Sequence, residues 1–521
     1  MSPCSRQRLH AELGHVSHSE FSHPARARRR AIPSVFRHGL PYSKTLSAHT
    51  SCVNTLAFSN GDGRWLASGG DDPTILLWDF HQDNVAQPSH KFIGPKANVF
   101  ALAFSATNQY LYSGDTDNVI LQYDLSRLPA ATTGKCWTPN YENEHHTDTI
   151  RAISCHPEQN ELFLSASEDG CIILHDTRIP TRHRRAVATL QHSASFNGVQ
   201  YHPIMHNLFA TADQRGALCL RDVRMAFGPL TQRSNEGIVQ TYVTTISKPS
   251  ISSHMSNPEI SSITFNTTGT KLAATMLHFL PTIYSINDPF PVATCSGKNL
   301  PDGTAAPQGE KTYSNSTTIK HGSFGGPTGD EYYSAGSDDF RAYIWELPSL
   351  STLLERRETI EFEKWSTAGD PDMIGFTTGM TEPCVPVEID TPLCRLAGHK
   401  SIVNTTLMHP HLLHTVTAGI ERHIVLHSPT PISPCADDMH LTPTNVRAVP
   451  DNNLERRHRA IRLALGLEDP NPDADDEDAI ALFDEIVRSE GNGDVFQLRQ
   501  WNPDMAEDDD DDTVGDDGFL T

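Results

Sequence analysis

The sequence predicts an all-β fold built from a repeated unit of short strands. Residues 46–79 (LSAHTSCVNTLAFSNGDGRWLASGGDDPTILLWD) contain three apolar runs, Val53 to Phe58, Trp65 to Ser68 and Thr74 to Trp78. Each run is rich in β-branched or aromatic residues and is bounded by Gly, Asp or Asn, as strands are. A degenerate version of the unit recurs about every 45 to 80 residues. Because one unit cannot bury both faces of its own sheet, several copies have to stack around an axis.

Four side chains tie the first unit together: His49, Ser68, Asp72 and Trp78. A buried imidazole, hydroxyl, carboxylate and indole N–H can satisfy one another's hydrogen bonds in a chain. This set resembles the structural tetrad of the WD40 repeat, and the resemblance implies a β-propeller. The tetrad positions of later repeats carry His146, Ser165, Asp169, Asp339, Trp345 and His399.

Seven units suit a closed ring, so we predict a seven-bladed WD40 β-propeller over residues 41–430. The second repeat runs from about Phe92 to Arg127, the third from His146 to Arg178, the fourth from His192 to Arg224, the fifth begins at Ile260, the sixth ends in SAGSDDFRAYIWELP, and the seventh runs from Leu396 to His427. Lys44 to Leu46 are expected to supply the outer strand of the last blade, so that no long edge stays open.

Several tetrad positions depart from the first repeat, and three insertions interrupt the rhythm. The departures are His175, Arg221 and His427 at the tryptophan position, Thr211, Thr417 and Ala335 at the serine position, and Glu421 at the aspartate position. The insertions, residues 226–258, 291–312 and 351–392, are rich in Pro, Gly, Ser, Thr or charge and are predicted to form surface loops.

The flanks of the propeller differ from it in composition. Residues 1–40 are rich in Ser, His and Arg and are predicted to form a disordered basic arm, with a nuclear-import or partner-binding segment as the alternative. Residues 431–521 form a C-terminal extension with helices predicted near 454–467 and 478–489. Of the net charge of −23, a charge of −18 lies in residues 468–521, which end in an acidic tail expected to stay solvated.

Composition and motifs exclude several classes of protein. No run of 18 apolar residues occurs, so no direct membrane contact is expected. The ten cysteines are scattered without a C-x-x-C pair, which indicates a reducing compartment, the nucleus or the cytoplasm. No phosphate-binding, zinc-protease or serine-hydrolase motif is found, so neither an enzyme nor a cofactor is predicted. No nucleic-acid partner is expected either.

Histidine is abundant, yet its placement argues against a metal site. Three His-Pro pairs occupy one repeat position, just after the first strand of their units: His156-Pro157, His202-Pro203 and His409-Pro410. A pair locked to one position of a repeat is a structural feature of that repeat. We therefore predict no bound metal.

The ends of two third strands carry the candidate binding site. Repeats three and four both finish in Asp-x-Arg, with Asp176 and Arg178 in one and Asp222 and Arg224 in the other. An arginine just past a strand end lies at the rim, where its planar donors can pair with a partner's carboxylate or carbonyl groups. Two ordinary surface arginines are the alternative. Repeat two ends one residue longer, at Arg127.

These endings resemble the WD-x-R motif of WD40 substrate receptors of cullin-4 RING ubiquitin ligases. Further stretches similar to that family are CVNTLAFSNGDGRWLASGGDD, LPTIYSI, SAGSDDFRAYIWELP, LAGHKSIVN and ALFDEIVR. The resemblance implies a non-catalytic receptor whose two arginines contact the ligase's adaptor propeller. The adaptor links the receptor to cullin-4, and the receptor holds a protein substrate elsewhere on its surface. The alternative is a WD40 scaffold or a chromatin or histone-tail reader outside any ligase.

Overall fold

The computed structural model describes residues 33–449, apart from 129–135, 180–187, 230, 250, 311, 327–328, 368–369 and 371–372, and also residues 477–490 and 495–498. Within these ranges, seven sheets are arranged as blades around an axis and an eighth sheet lies outside the ring. The inner strand of each blade contacts the inner strand of the next, and that of the last contacts that of the first. The predicted β-propeller is confirmed.

Each blade has four antiparallel strands, which we call inner, second, third and outer, and the blades are numbered in chain order of their inner strands. The inner strands are Val53–Phe58, Val99–Phe104, Ile150–Cys155, Phe196–Tyr201, Ile260–Phe265, Gly322–Gly325 and Val403–Met408. The second strands are Trp65–Gly70, Tyr110–Asp115, Leu162–Ser167, Leu208–Asp213, Lys271–Met276, Tyr332–Gly336 and Thr415–Gly419. The third strands are Thr74–Asp79, Ile120–Asp124, Cys171–Asp176, Leu218–Asp222, Thr282–Ser285, Ala342–Glu346 and His423–Ser428. The outer strands are His90–Ile93, Tyr141–Asn143, Ala188–Gln191, Ile238–Tyr242, Pro291–Cys295, Cys394–Leu396 and Tyr42–Ser47.

The two ends of the propeller sequence meet in blade seven. Its outer strand, Tyr42–Ser47, comes from ahead of blade one and pairs antiparallel with the third strand, His423–Ser428. Leu46, placed opposite Ile424, is buried between blades. The strand expected at Lys44 to Leu46 is therefore present. Its pairing with the third strand of blade seven joins the two ends of the propeller sequence.

The insertions are more ordered than the loops expected from their composition. They contribute outer strands to blades four and five and build the eighth sheet, whose strands are Ile251–Ser256, Ile246–Lys248, Gly375–Phe376, Cys384–Val385 and Glu358–Thr359. Short fifth strands extend blades one, five and seven: Cys136–Trp137, Val387–Ile389 and His440–Leu441. The loop prediction was wrong here because polar composition conceals short strands whose edges are completed by distant segments.

Helices are few and short in the described ranges. Residues 33–36 are helical, and the named helices are Val223–Phe227, Leu350–Arg356, Phe362–Trp365, Glu477–Glu490 and Val495–Leu498, with 3₁₀ turns at Leu125–Arg127 and Asn235–Gly237. The helix expected near 478–489 is present. The one expected near 454–467 lies outside the described residues.

Packed residues extend beyond both predicted sequence boundaries of the propeller, residues 41 and 430. Residues 33–40, assigned from the sequence to a disordered arm, pack on blade six, where Phe36 and Leu40 are buried and Phe36 lies against Tyr332. Beyond residue 430 the chain also stays packed, because Cys435 and Met439 join the core between blades seven and one. A few apolar anchors order these segments, although their overall composition is polar.

Polar chains like the one predicted for blade one run through three blades. The imidazole of His49 bonds Asp72 through Nδ1 and Ser68 through Nε2, both at 2.8 Å, and the indole of Trp78 donates to the same Ser68 hydroxyl at 3.0 Å. In blade three His146 joins Asp169 and Ser165, and in blade seven His399 joins Glu421 and Thr417. In each of these two blades a histidine takes the place of the tryptophan and bonds the central hydroxyl, His175 at 2.7 Å in blade three and His427 at 2.9 Å in blade seven.

Blade six does not form the predicted tetrad. Ala335 supplies no hydroxyl, so the indole of Trp345 donates instead to the backbone carbonyl of Ser296 at 2.6 Å. Asp339 accepts from the Tyr343 hydroxyl at 2.6 Å rather than from an imidazole. Both residues are buried as expected, but they belong to separate hydrogen-bond groups.

Trp78→Ala should lower the free energy of unfolding by about 3–5 kcal/mol, the usual cost of deleting a fully buried large aromatic side chain. Trp78→Phe keeps a ring and loses mainly the hydrogen bond to Ser68, so it should cost less. Urea titration of both variants measures the difference. An alanine variant as stable as the wild type would mean that this core position is not structural.

His427→Gln should flatten the dependence of stability on pH. Burial lowers the pKa of His427 to about 3, against about 6.5 in an unfolded chain. The unfolded state therefore takes up the proton first, so the stabilisation is fully present above pH 6.5 and is lost as the pH falls. Between pH 6 and 5 the wild type should lose about 1 kcal/mol more than the variant. Urea titrations at pH 6 and pH 5 measure the free energy of unfolding of both proteins. An equal loss in the wild type and the variant would contradict this assignment.

Candidate partner-binding surface

The propeller has two differently built faces. The third strands of blades one to four end in Asp79, Asp124, Asp176 and Asp222, and we call this end the arginine face. The turns between second and third strands lie at the opposite end of the same antiparallel strands, and we call that end the turn face. Asp72 and Asp339 belong to turns of the turn face.

Two closely similar Asp–Arg units project from blades three and four of the arginine face. The backbone N–H of Arg178 donates to Asp176 at 3.0 Å, and its guanidinium donates through Nε and Nη2 to both carboxylate oxygens at 2.8 and 2.7 Å. Arg224 repeats this on Asp222 with distances of 2.8, 3.1 and 2.6 Å. We call each bidentate pair a fork. The two-residue spacing produces the fork, because an aspartate side chain can accept the backbone N–H two residues ahead, which brings the arginine at that position next to the carboxylate.

The forks hold exposed cations in fixed orientations. The side chains of Arg178 and Arg224 are 55% and 68% exposed, whereas those of Asp176 and Asp222 are 16% and 8% exposed. Hydrogen bonds from the guanidinium groups lower the pKa of both carboxyls, so the pairs stay ionised at neutral pH. A guanidinium has five N–H donors, and a fork uses two of them. Three remain available to a partner on each blade.

Blade two shows why one extra residue breaks the pattern. Ser126 takes the place next to Asp124, donating through both its N–H and its hydroxyl to Oδ1. Arg127 reaches only Oδ2, with a single Nε contact of 2.9 Å, and its side chain is 77% exposed. Arg127 is therefore less constrained than the arginines of blades three and four.

A third fork, on blade one, was missed by sequence reasoning. Asp79 accepts from Arg64 at 3.1 and 2.9 Å, and the Arg64 guanidinium lies 4.4 Å from the Trp65 ring centre. Arg64 precedes the second strand, and only the pairing of Trp65 with Asp79 brings it to the rim. A motif search along the third strand cannot find it.

The His-Pro loops also lie on the arginine face. In each, the imidazole Nδ1 accepts backbone N–H groups two and three residues ahead, as Ile204 and Met205 donate to His202 at 3.1 and 2.8 Å. His156 and His409 do the same. Burial lowers the pKa of all three, that of His409 to about 3, which keeps the accepting nitrogen unprotonated. These histidines therefore cap loops.

An apolar pair stands beside the blade-four fork. Ile204 and Met205 are 57% and 44% exposed, and their loop is tied to the strand end because Val223 donates to the carbonyl of Asn207 at 2.8 Å. His206, in the same loop, contacts Glu158 of blade three at 3.1 Å. The two blades thus present cations and an apolar contact on one surface.

A cavity of about 610 Å³ follows the axis of the ring between the inner strands. Arg151 of blade three lines it, lying 4.9 Å from the Phe100 ring centre and pairing with Glu168. The cavity wall also includes residues of the His-Pro loops, such as Pro157 and Pro203, so it extends toward the arginine face.

The part of the chain that the structure describes holds no cluster of metal ligands. No three His, Cys, Asp or Glu side chains in this part come together as metal binding would require.

In the part of the chain that the structure describes, every helix is too short or too polar to cross a bilayer.

Comparison with known proteins supports the fold and gives it relatives. The family model "WD domain, G-beta repeat" matches residues 41–79, 86–124 and 137–176. "DDB1- and CUL4-associated factor 5" of Mus musculus and of Homo sapiens are each 30% identical over 402 residues, 76% of this chain. This chain spans only 35% of their length. "DDB1- and CUL4-associated factor 6" of Homo sapiens is 29% identical over 162 residues, 30% of this chain and 18% of the relative.

Among solved structures, the β-propeller domain of Cps50 (Swd1) of Myceliophteria thermophila aligns with a TM-score of 0.47 at 16% identity. The alignment covers 74% of this chain and the whole of that domain.

Proposed function

The chain is a WD40-repeat propeller related to DDB1- and CUL4-associated factors, and we propose that it is a non-catalytic substrate receptor of a cullin-4 RING ubiquitin ligase. In this role the forks of Arg178 and Arg224 dock on the adaptor propeller, for which the DDB1 of the relatives' names is the candidate. The receptor presents a protein substrate, and it works in the nucleus or the cytoplasm.

One observation carries this proposal: two matched forks stand on adjacent blades of one face. Chance surface arginines vary in orientation, whereas these two repeat the same three hydrogen bonds to the aspartate that ends the strand. Because each guanidinium is already held by its aspartate, less side-chain entropy is lost when it pairs with a partner.

The surroundings of the forks have the composition of a protein interface. Exposed Ile204 and Met205 give the surface an apolar centre beside the arginines, and interfaces combine apolar anchors with arginine and a polar rim. The remaining donors of Arg178 and Arg224 suit carboxylates or backbone carbonyls at the ends of strands in another propeller.

The double variant Arg178→Ala/Arg224→Ala should weaken binding of purified DDB1 by about a thousandfold, the size typical of losing two central interface contacts together. Both side chains are exposed in the free protein, so the thermal unfolding midpoint should barely change. Affinity is measured with the full chain by calorimetry or by biolayer interferometry.

Two matched controls separate docking from the mere presence of an arginine. Arg127→Ala removes the single-contact arginine of blade two, and Arg64→Ala removes a true fork two blades away from Arg178. Each should change affinity less than tenfold. If the folded double variant binds DDB1 as tightly as the wild type, the docking assignment is wrong. An affinity purification that then returns stable partners without DDB1 and CUL4 would favour the scaffold or chromatin-reader function.

A further inference from the structure

The helix Glu477–Glu490 lies on the turn face, opposite the forks. Val487 is 3% exposed and packs in a cluster with Phe340 and Ile420, which lie in turns of blades six and seven. Cys52 and Ile402, just ahead of the inner strands of blades one and seven, complete this cluster. Ala479 and Phe483 flank it at intervals of four residues, so one stripe of the helix is fitted to three blades.

Arg447 anchors this helix by charge. Its guanidinium donates to both oxygens of Asp484, at 3.0 and 2.5 Å, and also to the backbone carbonyl of Lys400. It lies 4.6 Å from the ring centre of Phe340, which adds a cation–π contact. Asp484 is buried beneath it. The turn face thus supplies a basic, aromatic-backed site that accepts one carboxylate from the helix.

A second anchor follows a few residues later in the chain. Val495 and Phe496 are buried, and Phe496 is only 2% exposed. They join a core that contains Ile246 of the eighth sheet and Phe279 in a turn of blade five. The Ser256 hydroxyl donates to the carbonyl of Val495 at 2.8 Å, and the Lys248 ammonium lies 5.0 Å from the Phe496 ring centre. The C-terminal segment is therefore held on the turn face at two separate places.

The segment is not part of the ring. The ring closes through Tyr42–Ser47 and His423–Ser428, and the described helices Glu477–Glu490 and Val495–Leu498 add no strand to it. The helix has 14 residues, near the length at which an isolated helix is marginal in water, so it depends on the propeller for its structure. A short amphipathic helix in an apolar and basic site is also a common way for one protein to bind another.

We propose that the turn face is a binding surface for an acidic amphipathic helix of a protein partner, and that residues 477–490 and 495–496 occupy it as a built-in ligand. The ligand chemistry is that of the segment: apolar residues four apart and an aspartate placed to meet Arg447. A partner helix binds after this segment leaves. Because a tethered segment has an effective concentration on the order of millimolar, a partner at micromolar concentration competes poorly until the tether is weakened.

The test uses the full chain and a fluorescent peptide with the sequence of residues 475–499. Val487→Asp/Phe496→Asp undocks the chain's own segment and leaves the receptor residues unchanged. This variant should bind the peptide at least tenfold more tightly than the wild type, as read by fluorescence polarisation. Adding Arg447→Ala to it, or using a peptide with Asp484→Asn, should remove at least tenfold of that affinity. Arg178→Ala/Arg224→Ala on the opposite face should have no effect on peptide binding, which makes this test independent of adaptor docking.

The proposal is overturned if the undocked variant keeps its fold and binds the peptide no better than the wild type. Should that variant fail to fold, native-state hydrogen exchange on the wild type decides. Amides of residues 478–489 are expected to exchange by local opening, well before those of the inner strands. Exchange of both sets only on global unfolding would make the segment an integral part of the fold and would refute the proposal.

Discussion

The structure depends on the pairing of Tyr42–Ser47 with His423–Ser428. A blade buries its faces only against two neighbours, so an open ring would leave exposed sheet surface and an unpaired strand edge. Taking the last outer strand from ahead of the first blade ties the two ends of the sheet together. It also sets where the flanks go, since residues 33–40 continue onto blade six and residues 435–439 return over blades seven and one.

Within the ring, a shared polar chain matters more than the identity of its members. Each complete chain centres on a second-strand hydroxyl that joins an imidazole to the residue on the third strand. Serine or threonine supplies the hydroxyl, and tryptophan or histidine bonds it from the third strand, because each has a donor or acceptor at the same place. Where the hydroxyl is missing, as at Ala335, the indole N–H of Trp345 donates to a backbone carbonyl instead and so remains paired.

The two ends of the same strands have different chemistry. On the arginine face, strand-ending aspartates orient exposed guanidinium groups, which leaves fixed cations for a partner. On the turn face, Arg447 already holds a carboxylate of the chain itself, and apolar turn residues are covered by Val487. As proposed above, the arginine face recruits the ligase and the turn face binds a partner helix, so the two functions use opposite ends of the same strands.

The sequence by itself determined the repeat, the propeller class and the Asp-x-Arg endings, because these follow from strand alternation and from residues a few positions apart. It also marked the apolar stripe of the late helix. Only the tertiary structure decided the fork of Arg64 with Asp79, the ordered eighth sheet, the packing of Phe36 on blade six and the packing of Val487 against three blades. Each of these joins segments that are distant in sequence or carries few apolar residues, so local composition holds no sign of it. Ring closure brings such segments together, and their contacts exist only once the ring has formed.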